Sequence, residues 1–234
     1  MGYLEVAKQF IEDKFSDCIF ALVAGSVVSG ESTSTSDLDI FIIRPNLEKA
    51  YRESFFKYGW PIEAFVHNLN SYKDFFHNDV KRRRPSLPKM CSEGIVIRDL
   101  DNMESTIKDL ANKLLNNGPA PFSNEELTNQ RYAITDLLDD LIGANKFEEQ
   151  MFIIHELSEK ICNFVLVNRG QWMGRGKWIP RLIRKLDEEF YNDIMISLEQ
   201  FYRFKDKEPF IDVVLGELGK YGGRLFEGYA LGKD

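Results

Sequence analysis

Asp37 and Asp39 stand on either side of Leu38, just before the apolar run Ile40-Phe41-Ile42-Ile43. If this stretch is a strand, residues two apart share a face, so the two carboxylates project together while Leu38, Ile40 and Ile42 point into a core. Neighbouring carboxylates repel, which costs free energy unless a cation lies between them. Oxygen donors without Cys or His suit Mg²⁺ or Mn²⁺. Upstream, Gly25-Ser26 ends another apolar run. A glycine there lets a backbone or a phosphate approach closely. A helix starting just after it would aim free N–H groups at an anion. Metal carboxylates and an anion cradle on neighbouring strands are what phosphoryl or nucleotidyl transfer requires. Asp-x-Asp alone, or Gly-Ser alone, is usually a solvated strand end. Together, with ten residues between Ser26 and Asp37, they are more specific.

These residues need strands to hold them. Cys18 to Ala24 is a short apolar run stopped by Gly25 and reads as a buried strand. Ser32 to Ser36 is a polar loop. Leu38 to Ile43 is a second strand, closed by Arg44-Pro45. Ile62 to Val66 and Gly94 to Arg98 complete a small mixed sheet. Apolar residues at helical spacing predict helices over 3–15, 47–58, 72–84 and 103–115, with a break at Gly59-Trp60-Pro61. Gly118, Pro119 and Pro121 mark a linker over 117–124. Beyond it the pattern is helical, with helices expected through 137–141, 151–167, 178–186, 191–204 and 211–218. The expected fold is α+β: a sheet-bearing domain over 1–117, then a helical bundle over 125–234.

The stretch from Ala24 to Ile43, with Ser36 before Asp37, resembles the signature of the DNA polymerase beta-like nucleotidyltransferase superfamily. That signature is Gly-Ser or Gly-Gly, a spacer of about this length, then two acidic residues flanking an apolar one. Its form here is closest to the small bacterial enzymes, among them the kanamycin- and streptomycin-type aminoglycoside nucleotidyltransferases. The resemblance implies that Asp37 and Asp39 hold Mg²⁺ (or Mn²⁺) with ATP or another nucleoside triphosphate. Gly25 and Ser26 would contact the β- and γ-phosphates, with Ser36 in the same nucleotide-binding stretch. The family takes a third carboxylate from a later strand, and Glu63 in Pro61-Ile62-Glu63-Ala64-Phe65-Val66 fits it, either as a metal ligand or as the base for the acceptor hydroxyl. Gly94 to Asp99 resembles the last strand of the same domain. The helical half resembles the C-terminal bundle of the antibiotic-modifying enzymes only in kind. Many minimal members carry Arg shortly after Gly-Ser, where this chain has Val27 and Val28.

A phosphate contact missing there has a candidate supplier in the second half. Arg169, Arg175, Lys177, Arg181, Arg184 and Lys185 are six cations with no acid between Arg169 and Lys185. Gly170, Gly174 and Gly176 suggest a flexible loop, flanked by Trp172 and Trp178. A basic loop opening a helix suits a triphosphate, and Lys177 is the leading residue; a solvated basic face explains the same cations. Lys81-Arg82-Arg83-Arg84 reads as a solvated helix end. His67, His77 and His155 are scattered and read as structural.

Composition bounds the partners. The 234-residue chain carries 30 basic and 37 acidic side chains, a net charge of −7. Such a surface repels a long polyanion, which argues against nucleic acid. The expected acceptor is a small hydroxylated molecule, aminoglycoside-like, bound between the two domains; Asp136, Asp139 and Asp140 would suit a cationic one. Three scattered cysteines argue against disulfides and zinc. No apolar run reaches membrane-spanning length, and the N-terminus reads as an amphipathic helix, so the cytoplasm is the expected location. The readings from other classes are a catalytically silent nucleotide-binding or regulatory protein and an antitoxin-like enzyme that nucleotidylates a protein.

Overall fold

A computed structural model gives the structure of residues 2–232. The protein is α+β, and its described residues form two compact units that divide between Gly118 and Pro119.

The first unit is built on one mixed sheet. Its strands are β1 (Phe20–Ala24), β2 (Leu38–Ile43), β3 (Tyr51–Lys57), β4 (Trp60–His67) and β5 (Ile95–Asp99), ordered β3-β4-β2-β1-β5. β2 and β4 run parallel; the other pairs are antiparallel. Side-chain alternation gives the sheet two apolar faces. On one, Val23, Leu38, Ile40, Ile42, Ile62 and Val66 pack with Val6, Phe10 and Ile11 of helix α1 (Tyr3–Lys14). On the other, Phe20, Leu22, Phe41 and Ile43 pack with residues of α2 (Ser71–Lys81), α3 (Ser86–Glu93) and α4 (Glu104–Asn116).

One local expectation is overturned here, and one helix is unforeseen. Residues 47–58 are not a helix. Leu47, Tyr51 and Phe55 fall at helical spacing, but the chain from Tyr51 forms a strand paired along β4. The reason lies in the connection. Tyr58 and Gly59 both have positive φ, at 54° and 81°, which makes the two-residue turn that matches strand twist. Lys57 therefore sits opposite Trp60, and Gly59-Trp60-Pro61 is a hairpin passing into β4, not an interruption. The second difference is α3, which sequence periodicity did not reveal because it is only eight residues long and carries Pro88.

The second unit is helical: α5 (Asn124–Gly143), α6 (Phe147–Asn168), α7 (Trp178–Leu186), α8 (Glu188–Phe204) and α9 (Glu208–Gly219). Its core includes Leu138, Leu157, Ile161, Phe164, Phe201, Phe210 and Val214. Both ends of α5 are capped by side chains. Ser123 Oγ accepts from the Glu126 amide while the Glu126 carboxylate accepts from the Ser123 amide, a reciprocal cap at the start of α5. At its other end Lys207 Nζ donates to the carbonyls of Leu141, Ile142 and Ala144. Among the described residues no helix is long and apolar enough to cross a membrane. Cys18, Cys91 and Cys162 are buried free thiols, and burial pushes the Cys162 pKa up to about 12.

Candidate active site

Sheet register brings the acidic residues together. Asp39 lies opposite Ala24 of β1 on one side and opposite Glu63 of β4 on the other. It is the one residue of β2 that is not buried. The face that carries Phe41 and Phe65 further along the strands thus carries Asp39 and Glu63 at one end. Asp37 falls just before β2 rather than within it. It still joins the cluster: Asp37, Asp39 and Glu63, all half-buried, each offer a carboxylate oxygen, and these atoms lie within 4.8 Å of one another.

The donor set suits a hard divalent cation. All three ligands are carboxylate oxygens, the choice of Mg²⁺ and Mn²⁺ rather than of a thiophilic metal. Oxygens about 2.1 Å from one octahedral ion sit roughly 3–4.2 Å apart, so the observed spacing needs only a small contraction.

Gly25 shapes the same end of the sheet. Its φ is +84°, and a Cβ built on it would overlap Asp39 Oδ2 and approach Asp39 Cγ to 3.1 Å. Only a glycine both adopts this backbone and leaves room for the Asp39 carboxylate. The residues after it do not start a helix. Residues 26–30 form turns, with Val28 and Ser29 donating to the Gly25 carbonyl at 3.1 and 3.2 Å and Glu31 to that of Ser26 at 2.9 Å. An anion would therefore meet the amides of a turn, fewer than a full helix N-terminus presents.

Ser26 and Ser36 are joined. Ser26 Oγ donates to Ser36 Oγ at 2.9 Å, and the Thr33 amide donates to the same oxygen at 2.8 Å. Ser36 thus ties the polar loop before β2 to the loop after β1 and fixes the approach of Asp37.

Arg52 was missed in the sequence. The helix expected at 47–58 would have turned it around a cylinder; the strand sets it opposite Phe65, on the carboxylate face. Its guanidinium donates to Glu63 Oε2 and lies over the Phe65 ring, 4.9 Å from the centroid. The hydrogen bond to Glu63, then the charges of Glu63, Asp39 and Asp37, outweigh desolvation and raise its pKa.

Lys177 belongs to the second unit, exposed at the N-terminal end of α7. The segment before it is anchored rather than flexible: the Gly174 amide donates to Asn163 Oδ1 of α6 at 2.8 Å, and a Cβ at Gly174 would meet Ile179 at 2.9 Å. Arg169 is not available to a phosphate. It pairs with Asp187, and with Glu217 at 2.8 Å. Of the basic run at 81–84, Arg82 pairs with Asp79 at 2.6 Å. His67 is buried beside Phe41 and Phe75, its Nδ1 3.2 Å from Ser71 Oγ, and burial pulls its pKa down to about 4. His77 and His155 are exposed. Within the second unit an open surface depression is lined by Asp139, Asp140, Glu148, Glu149, Phe152 and Ile153, among others; Asp139 pairs there with Arg224 and Glu149 with Lys146 at 3.0 Å.

No protein-family model matches the chain, and no curated protein matches it. Among solved structures it is similar to a nucleotidyltransferase-like protein from Exiguobacterium sibiricum 255-15, with 10% sequence identity and a TM-score of 0.47, over 94% of this chain and 74% of that one.

Proposed function

We propose that the chain is a metal-dependent nucleotidyltransferase of the DNA polymerase beta-like kind. It would transfer AMP from ATP, or the corresponding group from another nucleoside triphosphate, to a hydroxyl of a small molecule. The observation that carries the reading is the convergence of Asp37, Asp39 and Glu63 beside a glycine whose missing side chain leaves room for Asp39. Three gathered carboxylates repel one another, and a fold that holds them so favours whatever cation enters.

The three carboxylates would hold Mg²⁺ or Mn²⁺. When bound, such an ion neutralises phosphate charge and orients the triphosphate. Gly25 and Ser26 would approach the outer phosphates from the turn after β1, while the Ser26–Ser36 hydrogen bond keeps that turn against the Asp37 loop. The acceptor oxygen bonds to the α-phosphorus as the bond to pyrophosphate breaks. The second unit would contribute to nucleotide and acceptor binding, Lys177 being its candidate phosphate contact.

An aminoglycoside-like acceptor, and with it antibiotic modification, is supported by charge. The chain is acidic overall, and an open depression on the helical unit is lined by Asp139, Asp140, Glu148 and Glu149, of which Asp139 pairs with Arg224 and Glu149 with Lys146. A polycationic, hydroxylated molecule matches that chemistry better than a polyanion does. A panel of aminoglycosides, lincosamides, tRNA and single-stranded oligonucleotides, incubated with labelled ATP and Mg²⁺, tests the reading. Label is expected in a small molecule. Label in tRNA or oligonucleotide alone would overturn the acceptor class, and no transfer to any acceptor or to protein, with no pyrophosphate released, would overturn the activity.

A further inference from the structure

Arg52 sits where its charge and its strand both matter. β3 is an edge strand whose side chains are nearly all exposed, so little packing dictates which residue stands there. The Arg52 side chain is itself 57% exposed, against 21% for Glu63. An ion pair that open contributes little to stability. Yet the guanidinium is fixed from two sides, by Glu63 Oε2 and by the Phe65 ring two residues further along the same strand. A site with three carboxylates also has a particular weakness. Repulsion from Asp37 and Asp39 favours Glu63 rotamers that face solvent, and a binding ion must offset that preference unless another group holds the carboxylate in place.

We propose that Arg52 is the positioning residue of the metal site: stacked on Phe65, it holds one oxygen of Glu63 so that the other stays with Asp37 and Asp39. The inference rests on the metal-dependent reading above and deepens it. It gives Glu63 the part of a ligand held in place, so that the proton of the acceptor hydroxyl passes to solvent water rather than to Glu63. Hydrogen bonds to ligating carboxylates are a common support of metal sites, and their loss typically lowers metal affinity about 10–100-fold.

The test is Mn²⁺ binding to the full chain without nucleotide, followed by the electron paramagnetic resonance signal of the free ion, for wild type, R52A, R52Q and R52K. R52A is expected to bind Mn²⁺ about 10–100-fold more weakly while its thermal melt stays that of wild type. R52Q, which keeps a donor without charge, and R52K, which keeps a donor with charge, are expected to fall between the two. R52A added to E63Q should cost nothing further, since the group it positions is already changed. Equal or tighter binding by R52A would overturn the inference and leave the metal site standing, with Arg52 then a competitor of the ion or a bystander. A wild-type chain that binds no Mn²⁺ would overturn the metal-dependent reading and this inference with it.

Discussion

At one end of the sheet in the first unit, three like charges are drawn within 4.8 Å of one another. Around α7 in the second unit, unlike groups are matched instead. Arg169 bridges Asp187 and Glu217, Arg181 lies over Trp178 at 5.0 Å, and Arg184 lies over Tyr191 at 5.5 Å. Asp187 serves twice, since it also accepts from the Phe190 amide to cap α8; that hydrogen bond, then Arg169, lowers its pKa. In sequence the basic segment looks the more conspicuous of the two. In structure Arg169, Arg181 and Arg184 of that segment are partnered within their own unit, while three carboxylates share one end of the sheet with the Arg52 guanidinium on Glu63. Charges that answer one another hold a fold together; charges gathered against their own repulsion indicate a ligand.

Removing one acid breaks this contrast most severely. Asp37→Asn or Asp39→Asn should abolish nucleotide transfer and Mn²⁺ binding while the protein stays folded, with stability equal to or above wild type because repulsion is relieved. Transfer assays with circular dichroism and urea titration check both halves. A folded mutant at wild-type turnover would end the assignment.

In the second unit the same kind of truncation should act on stability instead. Arg169→Ala leaves Glu217, whose side chain is 7% exposed, and Asp187 without their shared partner. A loss of about 2–4 kcal/mol is expected, discounted from a fully buried pair because Arg169 is partly exposed. Mn²⁺ affinity measured on the folded fraction should not change. The comparison fails if Arg169→Ala loses metal affinity and keeps its urea midpoint.

Acid offers a subtler probe of the first unit. His67 titrates near 6.5 when unfolded and about 4 when folded. Between those values the unfolded chain binds the extra proton, so stability is complete above about 6.5, declines as pH falls toward 4, and is flat below that on this account. The decline amounts to about 3 kcal/mol at most. Hydrogen exchange in β2 and β4 against pH should show it, and His67→Phe should remove that part of the slope.

The smallest effect belongs to Lys177. Its replacement by Ala should weaken triphosphate binding by about 1–3 kcal/mol and leave monophosphate binding less affected. Calorimetric titration of both nucleotides decides it. Equal losses would make Lys177 part of the basic surface rather than of the site.

Much of this arrangement was legible before the fold. The run from Leu38 to Ile43 is apolar on both faces except at Asp39, as a central strand must be, and α7 ends where Asp187 starts the next helix. Glu63 could be grouped with the acidic pair because the family resemblance implies a third carboxylate from a later strand, and the run from Pro61 to Val66 offers one. What stayed hidden depended on one turn. Tyr58-Gly59 lacks the Asn-Gly or Asp-Gly pair that usually marks such a hairpin, so helical spacing in 47–58 prevailed and Arg52 was lost from view. The partners of Arg169 were equally invisible, since Glu217 is 48 residues away and no local pattern links them.

As one of the two edge strands of its sheet, β3 turns a row of backbone donors and acceptors away from β4, with Phe56 74% exposed along it. Such an edge invites strand addition from another molecule. Arg52, Glu53 and Lys57 place charge along that margin, and a second copy docking there would have to desolvate it. Drift toward neutral residues at these positions would make the protein prone to aggregation well before it disturbed the fold, so colloidal behaviour constrains β3 independently of the acidic cluster.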